Sequence, residues 1–347
     1  MRILLILIVL AASLWGGYWF VGASALESST QAWLQQRRAE GWQADAQVDV
    51  RGFPNRFDLT LDKPAMADPD TGVAWAAPFF QLLAMSWQPN HVIAIWPDTQ
   101  TIQTPLSRLT VNTEKMQGSL VFDADSDLAL GRSVIEIDRM ALTAEQGWTA
   151  DLDSAQFSVR RIEEGQADAP GAAKAQGAGP AATYQIDLDA DDLRLPPQAV
   201  AALDPSGRLP ERIGTLSLKA SVGFDRPWDR RAIEDSRPQP RRINLTGVRA
   251  NWGQLDLRAA GDLEVDAEGI PEGRVTVKAQ NWREILALAV NAGTVPRGMA
   301  GTIESVLGML AGSTGDTNTL DVPITFAGGR MMFGPIPLGM APRLILR

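Results

Sequence analysis

From Ile3 to Ala23 the chain carries no charge and is almost wholly apolar, and this run limits its fold more than any later segment does. At 1.5 Å per residue, a helix of that length covers about 30 Å, the thickness of a bilayer's hydrocarbon core. Trp15, Tyr18 and Trp19 gather at its far end, where amphipathic rings favour the lipid–water boundary. Arg2 and the amino terminus precede the run and Glu27 is the first charge beyond it, so the positive-inside bias leaves the N-terminus in the cytoplasm and sends the body across. A cleaved secretory signal is the competing reading, because Ala23-Ser24-Ala25 has the small-residue spacing of a cleavage site. Against it, the run exceeds the usual signal core of about 7–15 residues and bulky aromatics stand just before the cut. Residues 1–25 are therefore expected to be a retained anchor, and both readings place the body in the same compartment.

The rest of the 347 residues is long enough for a real core, and 45% hydrophobic content is ordinary for a folded chain. The absence of cysteine removes disulfides, thiolate chemistry and cysteine-based zinc sites, and one histidine cannot build a His-rich metal centre. A net charge of −9 argues against general attraction to nucleic acid. His91 lies at the start of an apolar strand pattern, and no Gly-x-Ser-x-Gly elbow offers it a nucleophile, so it reads as a strand-edge or turn residue.

Residues 26–41 read as a short juxtamembrane helix ending at Gly41. Beyond it the period changes to two: Ala44, Ala46, Val48 and Val50 alternate with polar residues, and Phe57, Leu59 and Leu61 repeat the pattern, which predicts a hairpin around residues 52–55. Gly52, Phe53, Pro54, Arg56 and Phe57 form a candidate structural turn motif, with glycine permitting the turn and Pro54 extending the residue before it. Strand patterns recur at 73–77, 79–87, 92–96, 106–112, 116–122, 134–143, 148–152 and 155–159, the spacing of an antiparallel meander. The first β-rich half is thus 42–163. An Ala, Gly, Gln and Pro segment at 164–182 reads as a flexible loop, and 183–347 forms a second β-rich half. Within that half, Ile285, Leu286 and Ala289, then Met299, Ile303, Val306, Leu307 and Leu310, give two apolar stripes that predict a helical hairpin over 281–312. The fold class is mainly β, with elongated, curved antiparallel sheets, an N-terminal transmembrane helix and a C-terminal helical hairpin.

No catalytic, cofactor-binding or metal-binding set stands out. Asp123, Asp125 and Asp127 start like a calcium loop, but Leu128 replaces its glycine and Val134 its closing glutamate. Arg230, Arg231, Arg237, Arg241 and Arg242 form a candidate patch for an anionic partner, since guanidinium groups pair well with phosphate. Acidic neighbours at Asp225, Asp229, Glu234 and Asp235 favour a solvated insertion.

Trp15-Gly16-Gly17-Tyr18-Trp19, residues 51–58, Asp68-Pro69-Asp70-Thr71-Gly72 and Ala77-Pro78-Phe79-Phe80 together resemble a bacterial family catalogued as domain of unknown function 2125. The resemblance covers nearly the whole chain and supplies no catalytic residues. More loosely, Ala260-Gly261-Asp262-Leu263, residues 269–277, the helical pair, residues 321–326 and residues 334–338 look like the AsmA-like envelope proteins. That likeness implies an inner-membrane anchor and a β-sheet with an apolar groove, linked to lipid traffic. The expectation is a non-enzymatic periplasmic protein held in the bacterial inner membrane through residues 3–23. It would bind or shield a lipid-like apolar ligand in envelope maintenance, with no cofactor and no nucleic-acid partner. The alternative is a scaffold that contacts other envelope proteins and has a closed β core without a ligand.

Overall fold

A computed structural model describes residues 1–162, 180–234, 236–293, 295, 297–313, 316–334 and 336–346. The chain divides into two compact units, one of Met1–Ala124 with Ser133–Thr149 and the other of Asp125–Arg132 with Ala150–Arg347.

In the first unit the N-terminal segments expected separately are one unbroken helix, α1 (Arg2–Ala39). Its C-terminal part is held by a stripe at Trp19, Ala23, Leu26, Thr30 and Leu34, which are buried or half-buried at helical spacing. Gly41, at φ +91°, turns the chain back, and the Arg38 guanidinium donates to the Ala44 carbonyl at 2.8 Å. Strand β1 (Gln43–Arg51) then pairs with β2 (Arg56–Ala67), with Arg51 opposite Asp58. Gly52 makes their turn possible. Its φ is +106°, a side chain there would meet the Arg56 carbonyl, and its own carbonyl accepts from the Asn55 and Arg56 amides at 3.1 and 2.9 Å.

The far edge of β2 changes partner along its length. Its first half pairs with β4 (Phe79–Met85) and its last residues pair with β3 (Ala74–Ala76). The break falls at Lys63 and Pro64, where Lys63 takes φ 47° and its amide reaches the Pro78 carbonyl at 2.9 Å. Two branches follow. In one, β4 pairs with β5 (Gln88–Ile95) and β5 with β8 (Lys115–Phe122). In the other, β3 pairs with β6 (Thr99–Gln103), β6 with β7 (Arg108–Asn112), and β7 with β9 (Leu130–Ala144).

The second unit is a regular meander in which each strand pairs antiparallel with the next. It runs β10 (Thr149–Ile162), β11 (Ala182–Arg194), β12 (Arg212–Phe224), β13 (Pro240–Trp252), β14 (Leu255–Val265), β15 (Pro271–Gln280), β16 (Thr319–Ala327), β17 (Arg330–Phe333) and β18 (Ile336–Met340). Short helices α2 (Pro197–Leu203) and α3 (Arg230–Glu234) follow β11 and β12, and α4 (Trp282–Asn291) and α5 (Arg297–Ser313) follow β15. Trp282, Ile303, Leu307 and Ala311 from this helical pair join Ala279, Leu320, Val322 and Phe333 of the strands in one buried cluster. A second cluster gathers Ala182, Tyr184, Ala220, Val222 and Phe224, and the Tyr184 hydroxyl accepts from the Trp228 amide at 3.0 Å.

Several strand expectations need correction. The segments 148–152 and 155–159 are one strand, β10, the pattern at 134–143 extends over all of β9, and β14 runs unbroken through Ala260 and Gly261, which continue the extended chain without a large apolar side chain. Gly261 is required there, since a Cβ would lie 2.2 Å from the Arg274 carbonyl oxygen of β15. Of the loop expected at 164–182, residues 164–179 lie outside the described residues, and Ala182 already belongs to β11.

Candidate functional site

The two branches of the first unit and the C-terminal half of α1 line an apolar groove of about 680 Å³, within the ordinary range for small-molecule sites. Leu59, Leu61 and Met66 of β2 form one wall, and Phe80 and Leu82 of β4 another. Trp75, Ile102 and Met116 come from the strands beyond, while Ser29, Thr30 and Trp33 of α1 line the remaining side. Strand periodicity explains most of the lining: Leu59 and Leu61, Phe80 and Leu82, and Gln100 and Ile102 lie two apart and so share a face of their strands, while Met66 lies beyond the break in β2 at Lys63 and Pro64. Trp75 meets Phe80 edge-on at 6.0 Å and Phe80 meets Trp96 at 5.1 Å.

The polar groups of this lining are largely tied to neighbours. Gln100 is only 5% exposed; its side-chain oxygen accepts from Trp75 Nε1 at 2.7 Å and its amide nitrogen contacts Met116 Sδ at 3.3 Å. Thr30 Oγ1 donates to the Leu26 carbonyl at 2.8 Å. With those groups occupied, the floor offers little but hydrocarbon and aromatic surface. Leu61, Trp75, Phe80, Leu82, Trp96, Ile102 and Met116 are half-buried, as the walls of an open trough are. Such a surface is complementary to an apolar ligand.

The turn residues singled out from sequence lie beside α1. Phe53 packs on Trp19 and Phe20, with centroids 5.4 and 5.5 Å apart, and Phe57 stacks on Trp19 at 5.9 Å. Gly22 lets Phe57 approach, because a Cβ there would fall 2.8 Å from the ring. The Pro54 carbonyl accepts from Trp15 Nε1 at 3.0 Å and that of Arg56 from Trp19 Nε1 at 2.7 Å. Gly52 forms the turn, so all five residues act in one docking element.

The arginine segment is tied to acids of its own chain. Arg231 pairs with Asp229 at 2.9 Å, Arg241 with Asp225 at 3.2 Å and Arg242 with Glu264 at 3.2 Å. Arg230 and Arg237 lie in the same connection, and Arg237 offers its carbonyl to the Arg226 guanidinium at 3.2 Å. His91 stands on β5 with Nε2 2.9 Å from Ser119 Oγ of β8. Asp125 accepts from the amides of Asp127 and Leu128, closing its own turn, and among the described residues no group of three or more acidic or histidine side chains could hold a metal ion.

A charge arrangement in the second unit escaped sequence reading. Arg249, Arg258 and Lys278 stand directly opposite one another on β13, β14 and β15, beside a hollow of about 370 Å³. Like charges so placed destabilise a sheet. Asp256 offsets the two arginines, accepting from Arg249 at 3.0 Å and from Arg258 Nε at 2.7 Å, while Asp321 of β16 stands opposite Lys278, and the Arg258 hydrogen bond is the chief reason the Asp256 carboxyl titrates below the usual carboxylate range. A carboxyl lowered on folding adds stability above its unfolded value, near 3.9, and loses it as pH falls through the folded value. Asp256→Asn is therefore expected to lower stability at neutral pH by about 1 kcal/mol and to flatten the decline in acid, read as thermal midpoints across a pH series.

The fold and groove define a class: a largely antiparallel β protein with one N-terminal helix long and apolar enough to cross a membrane. Residues 19–342 match the sequence profile of a family described as uncharacterized protein conserved in bacteria, DUF2125, and the chain belongs to that family. No curated protein matches it.

Proposed function

We propose that this chain is a non-enzymatic protein of the bacterial inner membrane, with a periplasmic body that binds or shields a lipid-like apolar ligand in the groove of its first unit. The observation that carries this reading is the groove: a trough of about 680 Å³ whose buried amide and indole groups bond one another, lined on one side by the helix that begins as the membrane segment. Envelope maintenance is the role that the AsmA-like resemblance suggests for such a ligand. Retention of residues 1–25 is favoured because Trp15, Tyr18 and Trp19 donate to carbonyls of the β body, and their removal would strip Phe57 and Phe53 of their cover.

Native mass spectrometry of the full chain released from a mild detergent tests the reading. A population carrying the mass of one phospholipid or fatty acid is the expected result. A spectrum of bare chain alone would favour the scaffold alternative, in which the β body serves partner proteins.

A further inference from the structure

One face of the last third of the apolar run packs on the β body, with Trp19 and Ala23 buried while Phe20 and Val21 stay exposed. Trp15 Nε1 donates to the Pro54 carbonyl at 3.0 Å, Tyr18 Oη to that of Ser86 at 2.7 Å, and Trp19 Nε1 to that of Arg56 at 2.7 Å. These acceptors belong to the β1–β2 turn and the β4–β5 turn, so both turns lie alongside residues 15–22 of α1. From Ile3 to Trp15 the helix rises only about 18 Å, well short of the roughly 30 Å that a hydrocarbon core requires. A complete span must continue to about Gly22, and the two turns then lie at the depth of the outer part of the bilayer.

Irregular backbone at that depth is tolerated only where its polar groups are satisfied within the protein. In these turns the carbonyls of Gly52, Pro54, Asn55 and Ser86 are all paired within the protein. The Pro54 carbonyl receives Trp15 and also the Ser86 hydroxyl at 3.2 Å, the Gly52 carbonyl receives the Asn55 and Arg56 amides, and the Ser86 amide donates to the Asn55 carbonyl at 2.9 Å. Three of the outward side chains are large and apolar, with Phe53 56% exposed, Met85 44% and Trp87 60%, and they stand beside the exposed polar Asn55 and Gln88. Arg51 and Arg56 flank the first turn with exposed side chains, Arg51 paired with the surface acid Asp49 and Arg56 with the more buried Asp58, and each long side chain can carry its guanidinium up to lipid phosphates.

We propose that the β1–β2 and β4–β5 turns insert into the leaflet on the body's side, so that Phe53, Met85 and Trp87 contact acyl chains and the first unit is seated in the bilayer. This rests on the reading of α1 as a span. It has a consequence for the groove. Leu59 lies three residues beyond Arg56, about 10 Å along the strand, which places the end of the trough nearest the turn at headgroup level.

Because the chain has no cysteine, single substitutions at Ile8, Phe53, Trp87 and Leu106 can carry an environment-sensitive nitrobenzoxadiazole label in full-length protein. The labelled chains are reconstituted into phosphatidylethanolamine–phosphatidylcholine vesicles containing lipids spin-labelled high or low on the acyl chain. Leu106 is the aqueous control: it follows β6, which pairs with β3 beside the distal end of β2, about 35 Å from the turn. The expected result is blue-shifted emission from Phe53→Cys and Trp87→Cys, with most of it lost to the high spin label. Ile8→Cys should be quenched more by the low label and Leu106→Cys by neither. If Ile8→Cys is quenched while Phe53→Cys and Trp87→Cys behave like Leu106→Cys, the helix spans and the insertion is wrong. If Ile8→Cys is also unquenched, the span itself fails and the insertion fails with it. The two positions guard against local disturbance, since Phe53 stands on the β1–β2 turn and Trp87 on the β4–β5 turn.

Discussion

Leu61→Trp combined with Leu82→Trp is expected to reduce the affinity of the purified chain for the apolar fluorophore phenylnaphthylamine by at least about tenfold, or 1.4 kcal/mol. Leu61 and Leu82 face the groove from neighbouring strands, β2 and β4, and both are half-buried. Indole rings there would occupy the space a ligand needs while adding no unpaired carboxylate or amine to the wall. The thermal midpoint should hold or rise, because wall atoms that face open space gain dispersion contacts from the added rings. Leu106→Trp, on a loop where the native side chain is 89% exposed, should leave binding unchanged. Fluorescence titration of the three proteins gives the comparison. Equal affinities would place the bound probe outside the groove.

In the second unit the largest loss is expected from Trp282→Ala. Trp282 is 2% exposed, packs in the cluster between the helical pair and the strands, and donates from Nε1 to the Thr317 carbonyl at 3.0 Å, while the Arg283 guanidinium lies 4.4 Å from its ring. Truncation of a buried tryptophan costs about 3–5 kcal/mol. Trp282→Phe keeps most of the ring packing and loses the hydrogen bond, so a loss of about 1 kcal/mol is expected from it. Chemical denaturation of all three chains measures both values. Because the second unit contains none of the groove, phenylnaphthylamine binding by folded Trp282→Phe should match the parent.

The fold was legible wherever periodicity was clean. Ala44 to Val50 and Phe57 to Leu61 announced the first hairpin, and the stripes from Ile285 to Leu310 announced α4 and α5. Strand β6 was missed because Thr99, Gln100 and Thr101 read as polar connection, although Gln100 points inward and meets Trp75 and Met116. Strand β18 was missed because proline and glycine punctuate Ile336–Met340. The branching of the first sheet depends on Lys63 and Pro64 breaking β2, a pairing choice that local sequence does not specify.

The candidate site was less legible. Its lining comes from six elements, and no short motif marks a surface assembled by long-range pairing. Trp15, Tyr18 and Trp19 were read as a generic interfacial belt, yet each donates to a particular carbonyl of the β body. Their spacing of i, i+3 and i+4 put them on one helix face, a signal that they share a partner. The row of Arg249, Arg258 and Lys278 needed the strand register before it could be recognised.

The most direct test of the groove as a lipid-like binding site is capture inside the cell. Benzoylphenylalanine placed at Ile102, on the groove wall, or at Leu106, on the exposed loop after the same strand, is activated by light in growing cells, and the intact protein is weighed. A covalent adduct of lipid mass at Ile102 and none at Leu106 is the predicted result. No lipid adduct at Ile102, or equal adducts at both positions, would contradict the account.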